Sequence, residues 1–234
     1  MFSEEKVTEF NFGCKNLFKS YGKKRVLNDL SFSHGKNAII GIFGLNGSGK
    51  STLFRILCGL DGDYEGSVNY LNFSDVSYMQ VDDIFPIDMR VKDFVEFNKT
   101  FNEKQDTAKI YENLEKANIK PKSFIKALSS GMKQYVKFLV CVFSGTSVCL
   151  FDEPLSNLDV NLRESVIKTL IAELNEKRLF VICTHEIKEF EQLIDGFYLL
   201  KNGKLSDYFS ADEVVESTGK SIVEFYKREI NRQE

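Results

Sequence analysis

A chain of 234 residues, 43% of them hydrophobic, can bury one substantial core, as a single domain or as a domain with an inserted subdomain. A formal net charge of −3, with Lys and Arg scattered among Asp and Glu, excludes a global basic field, so nucleic acid is not an expected partner. Five cysteines, at positions 14, 58, 141, 149 and 183, are odd in number, unevenly spaced and without a CxxC pair, and read as reduced, buried thiols of a cytosolic protein.

The opening stretch MFSEEKVTEF carries acidic residues where a secretory signal needs a basic start and an apolar run, so no export signal is expected. VTEFNFGCKNLF and VLNDLSFS alternate like strands, and His34, in a turn before Gly35, reads as a surface residue. NAIIGIFG is a continuous apolar run suited to a central strand covered on both faces. A short helix over about 51–60 follows, ended by Gly59 and Gly62, and then two short strand candidates, GSVNYLNF and SDVSYMQ.

From about Val91 to Ala127 the chain turns Lys- and Glu-rich, with Phe94, Phe97, Ile110, Leu114 and Ala117 spaced for amphipathic helices. This stretch reads as a helical insertion, and the boundaries expected are 1–80 and 145–234 for an α/β core with 81–144 inserted. Beyond it, helix and strand alternate: 131–143, SVCLFDEP, 160–174, RLFVICTH and 187–194, the rhythm of a parallel sheet covered by helices. FYLLKNGKLSDYF predicts a hairpin turning at Asn202-Gly203. The longest apolar stretch, Phe138 to Phe151, is interrupted by Ser144, Gly145, Thr146 and Ser147 and falls short of the roughly 20 residues of a membrane span. Any role at a membrane is therefore expected to come through a partner.

Gly44-Leu45-Asn46-Gly47-Ser48-Gly49-Lys50-Ser51-Thr52 satisfies GxxxxGK[ST] between an apolar strand and a helix, where a phosphate loop must sit. Glycines let the backbone wrap phosphates closely, amide N–H groups converge at the positive helix end, Lys50 supplies a mobile cation and the Ser51 hydroxyl a Mg²⁺ ligand. Gly219-Lys220-Ser221 repeats the end of this pattern, but Val214 stands where the first glycine is needed, so it reads as a loop at a helix junction.

Val148 to Phe151 is an apolar run that delivers Asp152 and Glu153 to a strand end, the edge where parallel sheets bind ligands. Asp152 suits Mg²⁺; Glu153 suits accepting a proton from the water that attacks a γ-phosphate. His185 closes the next apolar strand and would share that edge, within reach of the γ-phosphate or the water.

These residues resemble the ATP-binding subunit of an ABC (ATP-binding cassette) transporter over nearly the whole chain. GLNGSGKST resembles its Walker A motif, VCLFDEP its Walker B motif with the catalytic glutamate, Ser156-Asn157-Leu158-Asp159 its D-loop and Thr184-His185 its switch histidine. Gln80 resembles the Q-loop glutamine that senses Mg²⁺ and water, and Tyr21, in KSYGKKRVL, the aromatic residue that stacks on adenine; as a residue alone, Tyr21 reads equally as a strand-end tyrosine. Leu128-Ser129-Ser130-Gly131-Met132 occupies the position of the LSGGQ-type signature, with Ser130 and Met132 as departures. Taken by itself, KALSSGMKQ is a polar turn entering a helix.

The resemblance implies a P-loop NTPase of α/β class, with a RecA-like core, an antiparallel β portion and an inserted helical subdomain. It implies a Mg²⁺-dependent ATPase in which two cassettes pack head to tail, so that Ser129 and Gly131 meet a nucleotide held by the other copy, with the D-loop Asp159 among the nucleotide-binding residues. It further implies a separate membrane permease, with Phe85, Pro86, Ile87 and Met89 as a candidate docking surface, and a cytoplasmic position at the membrane face. The alternative in a different class is a soluble cassette with a non-transport cytosolic role.

Overall fold

The structure, a computed structural model, describes residues 11–35, 37–69, 75–81 and 86–231. Phe85 and the outer ends of the first and fourth strand candidates lie outside those residues. Three strands, β1 (Phe12–Tyr21), β2 (Lys24–His34) and β4 (Glu65–Asn69), form an antiparallel sheet in the order β2-β1-β4. A second sheet contains β3 (Ala38–Phe43), β5 (Val76–Met79), β6 (Val148–Asp152), β7 (Leu179–Thr184), β8 (Gly196–Lys201) and β10 (Phe209–Ser210), ordered β10-β8-β3-β7-β6-β5. Its strands β8, β3, β7, β6 and β5 pair in parallel. A short β9 (Lys204–Leu205) returns along β8 through the expected Asn202-Gly203 turn, both residues at positive φ.

The central strands are apolar throughout because both faces are covered. Successive residues serve opposite faces: Ile39, Phe43, Phe151, Phe180 and Ile182 join one hydrophobic cluster, while Ile40, Ile42, Leu150 and Val181 join the other. On the second face lies α1 (Lys50–Leu57), which buries Leu53, Phe54, Ile56 and Leu57. The first is covered by α2 (Val91–Phe101), α3 (Thr107–Lys116), α4 (Ser130–Val142), α5 (Val160–Glu173), α6 (Ile187–Phe190), α7 (Ala211–Thr218) and α8 (Ile222–Asn231). Phe151, with ring centroids 5.5 Å from Phe138 and 5.7 Å from Phe180, is fully buried, worth about 1.5–3 kcal/mol of transfer free energy. That anchor fixes the strand end presenting Asp152.

Several expectations need correction. His34 is the last residue of β2 rather than part of a turn; it is half-buried, its ring centroid 4.7 Å from Tyr208, and burial lowers its imidazole pKa. Cys58 is half-buried, unlike the other four thiols, and all five are free. Phe97 is exposed because it lies off the face on which Val91 and Val95 are buried. The α6 helix stops at Phe190, whose carbonyl accepts both the Leu193 and Ile194 N–H groups, so the chain turns there. Gly219 does end α7 before α8, as expected of a helix junction. Among the described residues no helix is long and apolar enough to cross a membrane.

Candidate active site

Parallel register brings the C-terminal ends of β3, β7 and β6 to one edge: Phe43 lies opposite Thr184, and Asp152 opposite Cys183. From β3 the chain passes through residues 44–49 into α1, whose N-cap is Gly49 at φ 110, a left-handed conformation that favours glycine. No side chain caps that helix start, so its N–H donors are left to a ligand. Lys50, only 6% exposed, donates from Nζ to the carbonyls of Gly44 (2.7 Å) and Leu45 (3.2 Å). The Ser48 hydroxyl oxygen is buried with no partner, as expected of a cradle that awaits a polar ligand.

A cleft of about 310 Å³ beside the loop brings together Lys50, Ser51, Thr52, Gln80, Asp152 and Glu153, with Asn46, Gly47 and Gly49 on its rim. On the other flank a second cleft takes in Lys24, Arg25 and Val26 from the β1–β2 hairpin together with Ser48. Asp152 is 1% exposed, and Tyr78 donates its hydroxyl to Oδ2 at 3.2 Å. Burial raises the Asp152 pKa and the Glu153 charge adds to this, against hydrogen bonds from Ser51 and Tyr78 and the charge of Lys50.

Glu153 sits at φ 49, a conformation that costs a residue with a Cβ about 1–3 kcal/mol. Its backbone is held on both sides: its N–H donates to Cys183 O (2.8 Å), and its carbonyl accepts from Gln134 Nε2 (3.0 Å). The side chain is aimed as firmly. Oε2 accepts from Thr184 Oγ1 (2.9 Å) and the His185 N–H (3.3 Å), and Oε1 lies 2.8 Å from His185 Nδ1. A carboxylate fixed in this way, beside a phosphate cradle, can take a proton from a water molecule.

Ser51, Gln80 and Asp152 offer hydroxyl, amide and carboxylate oxygens, a hard donor set that fits Mg²⁺ when phosphate oxygens and water complete the shell. Among the described residues no group of three or more His, Cys, Asp and Glu could hold a metal unaided.

Tyr21, Ser129, Gly131 and Asp159 line neither cleft. Tyr21 donates its hydroxyl to Asp61 Oδ2 at 3.0 Å. Ser129 is the N-cap of α4, its Oγ accepting the Met132 N–H at 3.1 Å. Gly131 packs on the turn before α5 so closely that a Cβ there would fall 2.5 Å from Asn157 O. Asp159 caps α5 through the Leu162 N–H at 3.0 Å.

Tyr78, Gln134 and the Thr184 hydroxyl escaped sequence reasoning. Tyr78 lies on β5 two residues before Gln80, but only the β5–β6 pairing shows that it reaches Asp152.

The sequence profile of the family described as ABC transporter matches residues 27–156, more than half of the chain. This chain belongs to the ABC transporter family. An uncharacterized ABC transporter ATP-binding protein of Methanocaldococcus jannaschii is 34% identical over 211 residues, covering 86% of this chain and 78% of the relative. A phosphonates import ATP-binding protein of Fusobacterium nucleatum is 30% identical over 232 residues, covering 86% and 93%. The solved structure of an ATP-binding subunit of an ABC transporter shares the fold, with a TM-score of 0.82 over 93% of this chain and 98% of that one, at 20% identity. The ABC transporter chain described here is accordingly an ATP-binding protein and an ATPase, built on the expected P-loop α/β fold with an antiparallel portion.

Proposed function

We propose that this ABC ATPase works with Mg²⁺ as one of two cassettes that pack head to tail and power a separate membrane permease. The observation that carries this reading is a separation: the cleft of Lys50, Asp152 and Glu153 gathers hydrolytic groups, while Ser129 and Gly131 stand outside it at the start of α4. That arrangement supports a nucleotide held by one chain and closed over by the other, with Asp159 at the same junction.

Lys50 neutralises the β and γ phosphates, Ser48 and the loop amides of 46–49 hold the phosphate oxygens, and Thr52 completes the loop. Ser51, Asp152 and Gln80 would hold Mg²⁺, which when bound supplies positive charge against those oxygens. Glu153 takes a proton from water as the water oxygen bonds to the γ-phosphorus and the bridge to the β-phosphate breaks. Thr184 and His185 hold that carboxylate in line, and the half-exposed His185 ring keeps its other nitrogen for the γ-phosphate. Tyr21 stacks on adenine.

On this reading 81–144 is the helical insert and 1–80 with 145–234 the core. The permease docks near Ile87 and Met89 and the groove of about 600 Å³ where Gln80 meets Phe94 and Phe101, which holds the chain at the cytoplasmic membrane face.

The test is Glu153→Gln. Turnover should fall roughly 10²–10³-fold while ATP binding persists, and gel filtration should show a dimer only with ATP. An unchanged ATPase rate defeats the assigned base, and a permanent monomer defeats the shared site. Recovery from membranes with a multi-span subunit supports transport; recovery only as a soluble protein favours the non-transport role.

A further inference from the structure

Lys19 is a buried lysine, 4% exposed, on a strand that otherwise carries its charges outward. Its Nζ donates to Asp61 Oδ1 at 2.8 Å, to the Asp63 carbonyl at 2.5 Å and to Asp63 Oδ2 at 3.3 Å. Such a cation is retained in a β-sheet only when its partners compensate for lost hydration. Burial opposes charge on both Lys19 and Asp61, yet the Lys19 pKa is raised and that of Asp61 lowered, because each bonds the other.

The pair also reaches Tyr21. Lys19 and Tyr21 are alternate residues of β1 and so share a face, and the ammonium lies 4.8 Å from the centroid of the tyrosine ring. Asp61 uses one oxygen for Lys19 and the other for the Tyr21 hydroxyl at 3.0 Å. The ring is thus held at its tip and on one face, yet Tyr21 remains 49% exposed. Asp61 itself is tied to the helix that the phosphate loop opens, since the Leu60 and Asp61 N–H groups both donate to Arg55 O in α1. One element therefore positions Lys50 at its start and the tyrosine ring from just beyond its end.

We propose that Lys19 and Asp61 are positioning residues that pre-set the ring of Tyr21 as a platform for a purine base, at a fixed offset from the phosphate cradle. The proposal rests on Tyr21 being the adenine contact. A ring already immobilised loses little freedom when the base arrives, so the pair raises affinity for the base and leaves the phosphates untouched.

The experiment measures Kd by calorimetry for ATP and for inorganic tripolyphosphate, which has no base. Lys19→Met combined with Asp61→Leu removes both charges at once, so neither is left buried alone. This double variant should weaken ATP about tenfold, leave tripolyphosphate within twofold and keep kcat. Asp61→Asn keeps a single acceptor oxygen, which can serve Lys19 or the tyrosine hydroxyl but not both, so it should weaken ATP by less than the double variant and leave tripolyphosphate within twofold. Tyr21→Ala should weaken ATP by roughly 5- to 150-fold, and adding the double variant to it should change nothing more. If Tyr21→Ala leaves ATP affinity unchanged, the adenine reading fails and the proposal with it. If Tyr21→Ala weakens ATP but the double variant does not, the proposal alone fails. Equal weakening of ATP and tripolyphosphate in the double variant would make the pair merely structural and also overturn it; thermal melting confirms that each variant is folded.

Discussion

Two helices of this chain begin at a turn suited to an anion, and they begin differently. The α1 helix starts from Gly49 in a left-handed conformation without a side-chain cap, flanked by a buried lysine and an unpartnered buried serine hydroxyl. In α4 the start is Ser129, whose own hydroxyl already accepts an N–H from Met132, and both Ser129 and Ser130 are exposed. An uncapped, buried helix start is a finished half-site that a phosphate completes. A self-capped, exposed one is stable alone and offers fewer free donors, so it suits a contact made and broken in each cycle.

Substitutions can break that contrast. Lys50→Ala should lower ATP affinity and turnover together, by roughly 10²–10³ in kcat/KM; steady-state kinetics with calorimetry measures both, and retained affinity would mean that α1 is not the binding half. Gly131→Ala places a methyl group against Asn157 O, so stability should fall by about 1–3 kcal/mol in urea unfolding. Turnover should fall about tenfold with it, while ATP binding by the single chain is unchanged; an equal loss of binding would erase the distinction between the halves. The smallest effect is expected of Met132→Gln. Glutamine there supplies the reciprocal half of a capping box, worth about 0.5 kcal/mol and a rise in Tm of about 1–2 °C. A large gain in ATPase activity alongside it would show that the native loop is a weakened half-site; no gain would show that Ser129 and Gly131 suffice.

The phosphate loop and the acid-bearing strand were legible because their signals are local: glycine spacing and a continuous apolar run ending in two carboxylates. The helices expected from 131 and 160 were legible for the same reason, as apolar stretches opening after polar residues, and the structure shows that Ser129 and Asp159 cap them. What stayed hidden depends on which strands become neighbours. Tyr78 serves Asp152 only because β5 pairs with β6 across the 68 positions between Met79 and Val148, and Gln134 supports the strained Glu153 from another element. His34 was misplaced because the rings that half-bury it, Tyr198 and Tyr208, come from the far end of the chain. Lys19 gives no warning at all, since a lysine on a strand is ordinarily solvated and its acids follow α1.

The strand order has a consequence for synthesis. Among the described residues β3, which leads into the phosphate loop, pairs only with β7 and β8. On a ribosome adding ~5–20 residues per second, the earlier of those partners, β7, begins to emerge roughly 7–27 s after Phe43. Throughout that interval Ile39, Ile40, Ile42 and Phe43 form an unpaired apolar edge of the kind that recruits other chains. The nascent polypeptide therefore carries its complete nucleotide-loop sequence long before it has a nucleotide site, and it is most exposed to aggregation in the middle of its own translation.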